Sequence, residues 1–106
     1  MNPPVKNLFA DVPASSAQED FLTLMQTDHI RVERIVSHGQ CSPKDFWYDQ
    51  PEDEWVLLVQ GKAVLQFADE STVALNAGDH LLIPRHIKHR VEKTSADAIW
   101  LAVHHV

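Results

Sequence analysis

The sequence predicts an all-β domain, an antiparallel sandwich or barrel of short strands carrying an N-terminal arm and one short helix. Two observations predict it. From residue 29 onward the apolar residues recur with a period of two, the spacing that places alternate side chains on one face of a strand. Seven short runs of that kind follow one another, separated by turn-forming pairs and clusters such as Gly61-Lys62, Ala68–Ser71 and Asn76–Asp79. With 106 residues, one domain is expected, with an arm and helix over 1–28 and the barrel over 29–106.

Each element has its own reason. Pro3, Pro4 and Pro13 forbid regular structure in residues 1–14, although Leu8 and Phe9 can tuck against a neighbour. Ser16-Ala17-Gln18-Glu19 matches a capping box, and Phe21, Leu22, Leu24 and Met25 follow at helical spacing, which predicts the short helix. Ile30–Val36 alternates through Val32 and then shifts phase, which permits a bulge. Residues 39–53 are poor in strand signals and hold the aromatic run Phe46-Trp47-Tyr48. Glu54–Gln60 is a strand, Gly61-Lys62 a tight turn, and Ala63–Phe67 its expected hairpin partner. Thr72–Leu75, His80–Ile83, Lys88–Thr94 and Ala98–His105 complete the set. The last run, Ile99-Trp100-Leu101-Ala102-Val103, is apolar on both faces, so both must be covered. The helix or arm could do this, or a second copy of the chain in a homodimer.

Composition excludes several classes. The net charge is −6 and no basic run exists, so nucleic acid and anionic membrane surfaces are not expected partners. One cysteine, Cys41, permits no intrachain disulfide. The N-terminus has no apolar core of the signal-peptide type, and no apolar run reaches spanning length, so a soluble cytoplasmic protein is expected. There is no G-x-S-x-G elbow, no phosphate-binding loop and no G-x-G-x-x-G. Cys41, beside Ser42-Pro43, has no evident helix N-terminus or cationic partner, so a nucleophile role is not expected.

Histidine is the unusual residue, with seven in the chain. His89 alternates in phase with Val91 and so points into the barrel. There it is either a core histidine bonded to backbone or a metal ligand. Glu54 opens a strand on the face of Val56 and Leu58, where a carboxylate is costly unless paired, metal-bound or at a solvated mouth. Of His104 and His105, adjacent on one strand, one must point inward. His86 follows Pro84, so alternation does not fix its direction.

These residues resemble the two motifs of a small single-domain cupin. Gly78-x5-Pro84-x-His86-x2-His89 is similar to the second motif, with His86 where glycine is usual and Lys93 where asparagine is usual. Glu54-x6-Gly61 is similar to the end of the first motif, with Gly39 as its opening glycine. The two first-motif histidines are replaced by either Trp47 and Asp49 or Tyr48 and Gln50. The aromatic loop and the strand ending in His104 also resemble an uncharacterised bacterial subgroup of small cupins. The resemblance implies a jelly-roll barrel holding a divalent transition metal (Zn, Fe, Mn, Ni or Cu) through Glu54 and His89, with His86, His104, Gln50 or Asp49 making good the missing ligands. It implies a small-molecule ligand, with Tyr48 as a candidate contact. The chain would then be a metal-dependent oxygenase or isomerase. Alternatives are a non-catalytic binding or sensing cupin that has lost the metal chemistry, and a barrel used mainly for dimeric assembly.

Overall fold

A computed structural model describes residues 2–14 and 17–106. Eight strands form two antiparallel sheets: β1 (Asp20–Gln26), β2 (Ile30–Val36), β3 (Asp53–Gln60), β4 (Lys62–Phe67), β5 (Thr72–Asn76), β6 (His80–Ile83), β7 (His89–Thr94) and β8 (Ile99–His105). One sheet has the order β1-β2-β8-β3-β6 and the other β5-β4-β7. Every pairing is antiparallel. The seven strands expected from residue 30 onward are all present. No helix occurs among the described residues, so none there crosses a membrane as a helix.

The expected helix is instead β1, although Ser16 of its capping box lies outside the described residues. The reason lies in a bulge. Register against β2 slips between Thr23 and Met25, so Leu22 opposes Arg34 and Met25 opposes Val32. The extra residue, Leu24, gives two side chains three positions apart the same face, which imitates helical spacing. The bulge therefore falls on β1, while β2 runs in unbroken register against β8.

The Gly61-Lys62 turn closes no hairpin, because β3 pairs with β6 and β8 while β4 pairs with β5 and β7. Gly61 is instead the corner at which the chain crosses between sheets. Its φ is +89°, and a Cβ there would stand 2.9 Å from Ala98 Cα, so only glycine turns it.

The inner faces meet in a core of Val56, Leu58, Ala63, Leu65, Leu75, Ile83, Ala98, Trp100 and Ala102. The outer face of the larger sheet is also apolar. Pairing aligns Met25, Val32, Val103, Trp55 and Leu82 in one row across all five strands. The arm does reach this side, since Arg34 Nη1 donates to the carbonyls of Leu8 (3.0 Å) and Ala10 (2.7 Å). Yet Met25 remains 50% and Leu82 60% exposed.

The 37–52 segment, although irregular, runs along the free edge of β7. Gly39 N–H donates to Ser95 O (3.1 Å) and Ser42 N–H to Val91 O (2.8 Å). Val91 N–H returns a bond to Ser42 Oγ (2.9 Å). Tyr48 and His89 exchange both backbone bonds, at 2.7 and 3.1 Å.

Candidate functional site

A cavity of about 110 Å³ opens at one end of the barrel, between the inner faces of the two sheets. Cross-strand pairing puts its polar residues together: Arg31 opposes His104, and His104 opposes Glu54. Glu33 enters from the same face of β2, and His89 and Val91 from β7. The backbone bridge between Tyr48 and His89 brings Tyr48 and Gln50 into the wall. The Tyr48 ring then stacks on the His89 imidazole, with centroids 5.4 Å apart and an interplanar angle of 24°. Phe21 and Trp100 supply further apolar lining.

Glu54 lies between two imidazoles. Its Oε1 is 3.4 Å from His89 Nε2 and its Oε2 is 3.7 Å from His104 Nε2. All three side chains are buried, at 7%, 5% and 3% exposure. His89 Nδ1 is 2.9 Å from the Ile87 carbonyl. A carbonyl only accepts, so Nδ1 carries a proton and Nε2 is the nitrogen turned to Glu54. Burial pulls the His89 pKa down, but the hydrogen bonds to Glu54 and to the Ile87 carbonyl, with the charge of Glu54, together raise it above the ordinary imidazole value. Burial raises the Tyr48 pKa, and the nearby charges of Glu19, Glu54 and Glu33 add to that, so its phenol is a neutral donor.

His104 is held by three carboxylates. Nε2 lies 2.9 Å from Glu33 Oε1, and Nδ1 lies 3.6 Å from Glu52 Oε1 without a hydrogen bond. Arg31 is shared by the same groups, at 3.8 Å from Glu33 and 3.3 Å from Glu52.

The candidates therefore divide. Glu54, His89, His104, Gln50 and Tyr48 line one cavity, and Trp47, Asp49 and His86 are not in its lining. His86 and Asp49 pair with each other in the exposed region outside, Nδ1 to Oδ1 at 2.9 Å. His105 is exposed. Glu33 and Arg31 are site residues that alternation hides, because they alternate with Ile30 and Val32 and read as a solvent face.

The donor set offers a transition metal few free ligands. Among the described residues, no three His, Cys, Asp or Glu side chains form a group that could hold a metal ion. The His104 nitrogen nearest Glu54 is already committed to Glu33, and the aromatic loop brings an amide and a phenol to the wall rather than imidazoles.

A two-sheet antiparallel barrel with a cavity at one end, lined from both motifs, defines the class. The profile of the Cupin_2 family, a cupin domain, matches residues 33–104, and the chain belongs to that family. It is 43% identical to a candidate mannose-6-phosphate isomerase of Ralstonia eutropha JMP134, over 97% of this chain and 98% of that one, with a TM-score of 0.92. A cupin superfamily protein of Desulfitobacterium hafniense DCB-2 shares the fold at 22% identity and a TM-score of 0.77, over 90% of this chain and 84% of that one. The uncharacterised protein YdbB of Bacillus subtilis (strain 168) is 38% identical over 45 residues, 42% of this chain. The match spans 40% of the length of that curated relative.

Proposed function

We propose that this cupin binds a small polar molecule in the barrel cavity and that Glu54 and His89 transfer a proton on it. The observation that carries this reading is the Glu54 carboxylate, buried at the cavity and placed between two imidazoles. A buried carboxylate beside an imidazole is a general acid–base pair whose members are already within reach of each other. The reaction class that suits it is isomerisation of a hydroxy-carbonyl compound, in keeping with the isomerase named for the 43%-identical neighbour. Glu54 takes the proton from the carbon beside the carbonyl, and His89 gives its Nε2 proton to the carbonyl oxygen. The resulting enediol returns to the isomeric carbonyl when the proton on Glu54 is delivered to the neighbouring carbon and His89 recovers one from the other hydroxyl. Tyr48, a neutral phenol, orients the oxygen.

The test is exchange in deuterium oxide. Glyceraldehyde and dihydroxyacetone incubated with the protein should lose C–H signal in proton NMR, and Glu54→Gln should slow that loss by about 10²-fold or more. No exchange by the unmodified protein would leave the non-catalytic binding cupin as the reading.

A metal site is the second reading, favoured by the His89 Nδ1 bond to a backbone carbonyl, which is how ligand histidines are oriented. Such a site would be weak with Glu54, His89 and the Gln50 oxygen alone. Stoichiometric metal in tag-free protein, lost in both His89→Ala and Glu54→Ala, would establish it.

We also infer a homodimer, working in the cytoplasm, that buries the outer row of Met25, Val32, Val103, Trp55 and Leu82. An apolar strip across five strands is a protein-contact surface rather than a solvent face. Light scattering should give a dimer for the native chain and a monomer for Leu82→Lys.

A further inference from the structure

The chemistry of the cavity wall selects its ligand by charge. Its described lining has three carboxylates, Glu19, Glu33 and Glu54, against a single guanidinium, Arg31. That guanidinium already faces Glu33 and Glu52, so its charge is spent inside the wall. One buried polar atom of the lining, Gln50 Oε1, is an amide oxygen with no hydrogen-bond partner, and so an acceptor left open. The remaining wall is apolar, with Phe21, Tyr48 and Trp100 among aliphatic side chains, and offers a charged ligand no further cation.

From these observations we infer that the cavity takes a small molecule bearing an ammonium group, and rejects phosphate esters. This deepens the small-molecule reading above and rests on it. It also separates this chain from the phosphorylated sugar in the name of its Ralstonia neighbour. A phosphate would meet carboxylates with no unpaired cation to hold it. An ammonium would meet those carboxylates and the unpaired Gln50 oxygen, which costs least when given a donor. The size is set too. A cavity of about 110 Å³ corresponds to roughly four waters at about 30 Å³ each, room for a ligand of few heavy atoms.

The experiment uses three probes of one skeleton: serinol, glycerol and glycerol phosphate, which carry positive, zero and negative charge. Each is titrated into the full chain at fixed pH and ionic strength, read by calorimetry and by NMR shifts of the His89 and His104 rings. Serinol should bind at least tenfold tighter than glycerol, and glycerol phosphate should not bind measurably. Glu33→Gln and, independently, Gln50→Leu should weaken serinol more than glycerol and so narrow the gap between the two affinities. Glycerol phosphate binding as tightly as serinol would overturn the inference. Equal binding of serinol and glycerol would overturn it while leaving the cavity reading intact. No binding by any probe would remove both.

Discussion

At the scale of single residues, the site is built from side chains whose partners fix their roles. Tyr48 is the one tyrosine of the chain, so its ionisation is directly readable from tyrosinate absorbance. It should titrate above the ordinary phenol value, because burial and the charges of Glu19, Glu54 and Glu33 all oppose a phenolate. Glu54→Gln removes one of those charges and should lower the midpoint without returning it fully, since burial is the larger cause. His86 makes a different case. It stands where the family motif has glycine, and its φ of +62° shows why glycine is usual there. The left-handed backbone costs roughly 1–2 kcal/mol, while the exposed pair with Asp49 returns about 0–1 kcal/mol. In thermal melts His86→Ala should lose about 1 kcal/mol, keeping the strain without the pair. His86→Gly should match or exceed the native stability. The strand phase of His89 and Glu54 was legible in the sequence, because one neighbour on each side fixed the inner face. Glu33 and Arg31 were not, because a strand whose charged face is the inner one has the same alternation as one whose charged face meets water.

At the scale of elements, the 37–52 segment decides how well the cavity is formed. It has no strand pattern of its own and takes its shape from β7, through Gly39, Ser42 and Tyr48. Ser42→Ala removes the acceptor for the Val91 N–H and leaves a half-buried donor unpaired, at a cost of about 1 kcal/mol. The loss should appear first as faster amide exchange at Tyr48 and His89, before the rest of the barrel loosens. Unchanged exchange at those two amides would show that the segment holds its place without the Ser42 side-chain bond. Seven strands were readable from alternation and turns because each is bounded by its own punctuation. β1 was not, since a bulge at Leu24 converts a period of two into a local spacing of three. The pairing of β3 was not readable either. Gly61 has the sequence of a hairpin turn, and only the approach of Ala98 makes it a corner between sheets.

At the scale of the whole molecule, both sheets depend on a shared inner layer. Leu58 is fully buried and packs in the core with Ala98 and Trp100. Leu58→Ala should cost about 2–5 kcal/mol, a drop in melting temperature of roughly 8 °C or more for a domain of this size. A loss confined to one sheet, seen as two separate melting transitions, would contradict a single shared core. The barrel class was legible from strand number and spacing and from the two motif remnants. The apolar outer row was visible in part, as the doubly apolar strand β8, but its extension over all five strands needed the register.

The strapping of residues 39–48 along β7 has a consequence for the solubility of the chain. A three-stranded sheet has two open borders, and unpaired backbone groups at a border invite another chain to add as a strand. On the β7 side that border is already occupied by Gly39, Ser42 and Tyr48. A shortened loop would therefore do more than remove a wall from the cavity. It would uncover a template for intermolecular strand addition, so the same segment that shapes the pocket also keeps the barrels apart.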